Sequence, residues 1–133
     1  MTEFRKVTDR FSVSPQIDLA DVAAAAAQGF TLIINNRPDG ESPDQPSSAQ
    51  VEAAARAAGL GYVHAPVMGR PGPAAVEAVR AALAEGEGRV LAFCRSGTRS
   101  IMTWAIGQQG QTDAGELMRL GAAAGYDLSP VLG

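Results

Sequence analysis

The stretch that decides the fold is Arg89-Val-Leu-Ala-Phe-Cys-Arg-Ser-Gly-Thr-Arg-Ser100. Its apolar start, Arg89–Phe93, is typical of a strand that is covered on both faces. A polar turn, Cys94–Arg99, follows, and the pattern of Ser100–Gln109 predicts a helix. Because ligands bind at the carboxyl ends of strands in open parallel sheets, we expect a functional site at this turn.

The same alternation of short apolar runs and helical segments extends along the whole chain. Further strands are predicted at Phe11–Val13, Phe30–Asn35 and Gly61–Pro66, and further helices at 18–28, 47–58, 73–85 and 113–124. Strands that alternate with helices at this spacing indicate βαβ units. We therefore predict a single α/β domain over residues 1–133, with a mainly parallel sheet and helices on both faces.

The composition excludes several classes of function. The 133 residues include one Cys and one His, so neither a disulfide framework nor a metal site built from several Cys or His is expected. The net charge of -3 argues against a general nucleic-acid partner. The sequence has no long apolar run and no signal-peptide pattern. We expect a cytoplasmic protein without a membrane segment, cofactor or metal; its oligomeric state stays open.

The chemistry of the chain is concentrated around Cys94. The segment 88–112 contains three arginines and no acidic residue, although the chain as a whole is acidic. Successive backbone N–H groups in a strand-to-helix turn form an anion-binding nest, and Gly97 allows the tight curvature. Such a positive environment favours the thiolate of Cys94, and Arg99 can bind an oxyanion with its planar fork. These residues predict a nucleophilic cysteine beside an anion site.

Three separated motifs resemble one bacterial family. They are Thr8-Asp-Arg-Phe-Ser-Val-Ser-Pro-Gln16, Ile34-Asn-Asn-Arg-Pro-Asp-Gly-Glu41 and Cys94-Arg-Ser-Gly-Thr-Arg-Ser100. They are similar to the phosphatase-like domain of the beta-lactamase-hydrolase-like proteins, which are described variously as phosphatases or sulfurtransferases. The resemblance covers about residues 2–110 and implies a fold like that of the dual-specificity protein tyrosine phosphatases. It also implies a functional link to persulfide- or sulfide-oxidising enzymes.

The length of the cysteine turn separates two chemistries. Tyrosine phosphatases have five residues between the cysteine and the arginine, whereas rhodanese-type sulfurtransferases have a shorter loop. Here four residues separate Cys94 from Arg99. The resemblance to a rhodanese loop predicts transfer of a sulfane sulfur, from thiosulfate or a small persulfide to a thiol, through a Cys94 persulfide. A cysteine-dependent phosphatase with a Cys94 phosphoenzyme is the alternative, and a non-catalytic anion-binding domain is a second one.

The proton donor that a phosphatase needs is missing from its expected place. In dual-specificity phosphatases an aspartate lies on the loop after the preceding strand, but here that loop, Val67–Gly72, contains no acid. The nearest substitute is Asp39, with Glu41 or Asp44 as lesser choices.

The predicted site divides into two groups of residues. Cys94 and Arg99 are the predicted catalytic residues. The predicted substrate-binding residues are Arg95, Ser96, Gly97, Thr98, Ser100, Arg37 and Asp39. The predicted substrate is a small sulfur-containing anion or a phosphoester.

Overall fold

The computed structural model describes residues 2–132, and a five-stranded sheet forms its centre. The strands are β1 (Arg5–Lys6), β2 (Phe11–Ser14), β3 (Phe30–Asn35), β4 (Gly61–His64) and β5 (Arg89–Phe93). Their order across the sheet is β1-β2-β5-β3-β4, and only the β1–β2 pair is antiparallel. The carboxyl ends of β2, β5, β3 and β4 therefore meet at one edge.

In the described part of the chain, six helices connect and cover the strands. They are α1 (Leu19–Ala27), α2 (Ser48–Ala57), α3 (Pro73–Glu85), α4 (Thr98–Gln108), α5 (Ala114–Ala123) and α6 (Ser129–Leu132). Helices α1 and α2 begin with capping boxes, in which Asp18 and Ser47 accept the backbone N–H three residues on and Asp21 and Gln50 return the bond. These reciprocal bonds satisfy N–H groups that have no partner within the helix.

The sheet separates two apolar layers. Successive side chains of β5 alternate between them, so that Val90 and Ala92 pack with α3 to α6 on one face. Leu91 and Phe93 pack with α1 and α2 on the other face. This alternation explains the continuous apolar run of β5, because both faces of a central strand are buried.

The predicted fold class is confirmed, with local differences. Strand β4 ends at His64 rather than at the predicted Pro66, and β2 extends to Ser14. Strand β1 and helix α6 were not predicted, because two- and four-residue elements carry no measurable periodicity. Helix α4 begins at Thr98, two residues before the predicted start, since Gly97 already serves as its N-cap residue. Within residues 2–132, no helix has the length and apolarity that crossing a membrane would require.

Candidate functional site

Cys94 lies directly after β5, at the edge where the parallel strands end. It is the first residue of a turn, residues 94–97, which we call the Cys94 loop, and it is completely buried. The backbone on either side holds this loop: Asn36 N–H donates to the Phe93 carbonyl at 2.8 Å, and Gln16 N–H donates to the Arg95 carbonyl at 3.1 Å. The segments that follow β2 and β3 therefore fix the cysteine from both sides.

Gly97 directs a backbone donor at the sulfur of Cys94. Its N–H lies 3.2 Å from Cys94 Sγ, and its φ of 90° is in the left-handed region that glycine adopts without steric cost. Helix α4 starts at the next residue, so its positive end also faces the loop. Both features favour negative charge at the sulfur or on a group bound to it.

Arg99, in the first turn of α4, is anchored by two acceptors. Its Nη1 donates to Glu41 Oε2 at 2.8 Å and to the Val67 carbonyl at 2.8 Å, and its Nη2 donates to Glu41 Oε1 at 2.9 Å. The Glu41 carboxylate, with a smaller effect of the Cys94 sulfur, raises the pKa of Arg99. The sequence predicts that the Arg99 guanidinium binds an oxyanion of the substrate. In the structure its two terminal nitrogens, Nη1 and Nη2, bind the Glu41 carboxylate instead.

Glu41 bridges two arginines. Besides its paired contact with Arg99, it accepts a bond from Arg37 Nε at 2.9 Å. Hydrogen bonds from Arg99 and Arg37 lower the pKa of Glu41 from 4.5 to about 2. Both oxygens of the Glu41 carboxylate are thus bound by arginines, and its role as a substitute proton donor stays a prediction.

Arg37 belongs to the same network and is buried. Its Nη1 donates to Gln16 Oε1 at 3.0 Å, and its carbonyl is bonded to His64 Nε2 at 2.9 Å. The loop after β3 thus carries a buried cationic side chain that bonds Glu41 and Gln16, while His64 of β4 bonds the backbone of the same residue. Arg37 was predicted as a substrate-binding residue, and that role stays a prediction.

The carboxylate of Asp39 is engaged at a helix start. Its Oδ1 accepts the backbone N–H of Ser48 at 2.7 Å, in the first turn of α2. No hydrogen bond joins Asp39 to the Cys94 loop among the described residues. Its predicted role in substrate binding stays a prediction. In the structure, its carboxylate binds an N–H at the start of α2, next to the N-cap residue Ser47.

The remaining predicted residues surround the cysteine at different depths. Arg95 and Ser96 are exposed at the rim, and Ser96 Oγ donates to Thr98 Oγ1 at 2.9 Å. Ser100 is fully buried, and within residues 2–132 its hydroxyl has no hydrogen-bond partner. A buried hydroxyl without a partner is uncommon, and it leaves this group free to bond with a reacting species.

Three contacts of the site could not be found from the sequence. They are the Gln16 bond to Arg37, the Val67 carbonyl bond to Arg99, and the bond from Tyr126 Oη to the Ser96 carbonyl at 2.8 Å. Each partner is distant along the chain, and the sequence assigns no such contact to it, although Gln16 lies within one of the three family motifs. No local pattern signals such contacts, because they depend on how the strands are ordered in the sheet.

Comparison with known proteins identifies the family. The family model described as beta-lactamase hydrolase-like protein, phosphatase-like domain, matches residues 3–111. The chain belongs to this family. A beta-lactamase hydrolase-like protein from Xylella fastidiosa is 40% identical over 125 residues, which cover 92% of this phosphatase-like domain. The domain spans only 29% of the length of that relative.

Solved structures agree on the fold of the phosphatase-like domain. A candidate phosphatase from Neisseria meningitidis is 34% identical and superposes with a TM-score of 0.84, over 96% of this chain and 92% of that one. The kinase associated phosphatase is only 12% identical, yet it has a TM-score of 0.73 over 99% of this chain and 89% of its own. The fold is that of the cysteine phosphatases.

Proposed function

We propose that this domain is a cysteine-dependent phosphatase that hydrolyses phosphoesters through a phosphocysteine at Cys94. The observation that carries the proposal is the geometry of the Cys94 loop, in which a buried thiol receives the N–H of Gly97 and Arg99 lies in the next turn of helix. The 34% identical relative described as a candidate phosphatase supports the same chemistry. This reverses the order of the two activities that the sequence alone favours.

The reaction proceeds in two displacement steps. The Cys94 thiolate attacks phosphorus, a sulfur–phosphorus bond forms, and the ester oxygen leaves with the bonding electron pair. Water then attacks the phosphocysteine, and inorganic phosphate and the thiolate are released. Ser100, in the first turn of α4, is proposed to bind the substrate through its hydroxyl, which has no hydrogen-bond partner among the described residues.

Arg99 is proposed to bind the phosphoryl oxygens with the part of its fork that remains free. An arginine side chain has five N–H donors. Glu41 and the Val67 carbonyl take three of them, which leaves the Nε–H and one Nη2–H along one side of the guanidinium. Two parallel donors match two oxygens of a phosphoryl group. Arg95, Ser96, Gly97 and Thr98 are proposed to complete the oxyanion site.

The bonding of Glu41 limits the leaving group. Protonating an alkoxide needs an acid within reach of the leaving oxygen, but Arg99 and Arg37 bind the Glu41 carboxylate and the segment 67–72 contains no acid. An aryl oxide leaves without full protonation. Aryl phosphates, which include phosphotyrosine, are therefore the substrates that this site fits best.

Sulfur transfer is the second candidate, and the loop length favours it. Four residues separate Cys94 from Arg99, and the segment 67–72 contains no acid. A persulfide at Cys94 needs neither a wide oxyanion cradle nor a proton donor for a leaving alkoxide. In this reaction Cys94 attacks the outer sulfur of thiosulfate, sulfite leaves, and cyanide or a thiol then takes the sulfur.

One pair of assays tests the proposal. Hydrolysis of an aryl phosphate and formation of thiocyanate from thiosulfate and cyanide are measured for the wild-type domain and for Cys94→Ser. We expect aryl phosphate hydrolysis that falls by about 10⁴-fold or more in the variant, as for loss of other covalent nucleophiles. Thiocyanate formation without phosphate release would reject the phosphatase in favour of sulfur transfer. Loss of neither activity in Cys94→Ser would reject both.

A further inference from the structure

Tyr126 reaches the Cys94 loop from the far end of the chain. It follows α5, its side chain is almost fully buried, and its Oη donates to the Ser96 carbonyl at 2.8 Å. On the other side of the same turn, Gly97 N–H donates to Cys94 Sγ at 3.2 Å. Tyrosine and cysteine thus contact the same short stretch of backbone from opposite sides.

These two hydrogen bonds share one peptide group. The Ser96 carbonyl and the Gly97 N–H belong to a single amide, which is planar and trans, so its C=O and N–H point in opposite directions. Because Tyr126 Oη holds the Ser96 carbonyl oxygen, the Gly97 N–H is oriented toward Cys94 Sγ. Donation to the oxygen also polarises the amide, which strengthens its N–H as a donor.

We propose that Tyr126 is a positioning residue for Cys94, acting through the Ser96–Gly97 peptide to stabilise the thiolate. The inference rests on the nucleophilic role given to Cys94 under the proposed function. It holds equally for phosphoryl and for sulfur transfer, since both begin with the thiolate.

The packing around Tyr126 fits this role. A Cβ placed on Gly97 would lie 2.2 Å from Tyr126 Oη, so the hydroxyl closes directly over the glycine. The Arg5 guanidinium lies 5.2 Å from the centre of the tyrosine ring and helps hold it in place. Burial raises the pKa of Tyr126, which keeps its hydroxyl protonated as a donor. Arg99, from α4, also interacts with the Cys94 sulfur.

The first test replaces Tyr126 by Phe, which removes the hydroxyl and keeps the ring. The readout is the pH midpoint of the ultraviolet thiolate absorbance, taken as the difference from the same protein carrying Cys94→Ser. Because Cys94 is the only cysteine, that difference isolates its ionisation. We expect the midpoint to rise by about half a pH unit, as fits a weakened rather than deleted N–H donor.

The matched control is Tyr62→Phe. Tyr62 is the other tyrosine of the chain, and its Oη bonds to Asn35 and Ser48 but not to the Cys94 loop. Its removal is expected to leave the thiolate midpoint unchanged. An unchanged midpoint in folded Tyr126→Phe, or an equal rise in both variants, would overturn the proposal.

A second measurement covers the case in which Tyr126→Phe does not fold. In the Tyr62→Phe background Tyr126 is the sole tyrosine, so incorporation of 3-fluorotyrosine modifies it alone. Fluorine makes the hydroxyl a stronger donor, and the thiolate midpoint is expected to fall; a midpoint that stays or rises contradicts the proposal. Neither readout requires turnover, so a domain that hydrolyses no phosphoester would reject the proposed function without affecting this test.

Discussion

Two loops at the same edge of the sheet are built in opposite ways. The Cys94 loop, residues 94–97, is short and is held by backbone hydrogen bonds to the segments beside it. The loop after β3, residues 36–47, is long and is held by side chains, chiefly the bridge from Glu41 to Arg37 and Arg99. The first loop fixes the position of Cys94, whereas the second fixes the orientation of the Arg99 guanidinium.

The two loops meet at Arg99, and substitution of this residue is expected to cause the largest loss of activity. Arg99→Lys keeps the charge but removes the planar fork, so one ammonium cannot bind Glu41, the Val67 carbonyl and two phosphoryl oxygens together. We expect kcat for an aryl phosphate to fall by roughly 10²- to 10³-fold, the scale of losing one oxyanion donor. Arg56→Lys, at an exposed pair on α2, is the control. A loss below threefold at Arg99 would show that the fork does not bind the reacting group.

Glu41→Gln breaks the link between the loops and keeps the shape of the side chain. The amide can no longer accept two charge-assisted bonds from Arg99, so the guanidinium loses its fixed orientation. We expect kcat/KM for the aryl phosphate to fall roughly tenfold, since misplacing a catalytic group is costly. Glu52→Gln, at an exposed pair on α2, serves as the control. An increase in activity would mean instead that Glu41 blocks the anion site.

The Glu41 carboxylate is also expected to make the free energy of unfolding depend on pH in the acid range. The folded pKa of Glu41 is lowered from 4.5 to about 2, so its pairing stabilises the fold at pH values above 4.5. That contribution is lost progressively as the pH falls from about 4.5 toward 2. Urea unfolding of wild type and Glu41→Gln should therefore give a stability difference that is constant near neutrality and shrinks across this window. A difference that grows on acidification would contradict the assignment.

Asp39→Asn is expected to have the smallest effect. The amide oxygen can still accept the Ser48 N–H, so the start of α2 is retained, and an aryl oxide needs no proton from Asp39. We expect less than a threefold change in hydrolysis of the aryl phosphate. A loss of tenfold or more would place the Asp39 carboxyl at the leaving group and restore a general acid to the mechanism.

The two loops also differ in what the sequence could predict. The sequence predicts the Cys94 loop well because its signals are neighbours along the chain. The apolar run of β5, the single cysteine and the glycine before α4 all lie within residues 89–97, so the strand, the turn and the helix are predicted from one segment. The partners of Arg99 could not be predicted in this way, because Glu41 is 58 residues away and Val67 is 32 residues away. The sequence indicates Glu41 only as a possible acid, whereas its arginine contacts, which lower its pKa, depend on the sheet order β5-β3-β4.

If Cys94 carries the phosphoryl group during turnover, as proposed, the phosphocysteine intermediate can be trapped. The domain is mixed with an aryl phosphate, quenched in acid within the first turnover, and analysed by mass spectrometry of the peptide that contains Cys94. We predict a mass gain of one phosphoryl group on this peptide, absent from Cys94→Ser. Phosphate release with an unmodified Cys94 peptide, or a gain of sulfur after thiosulfate and none from the aryl phosphate, would contradict the account.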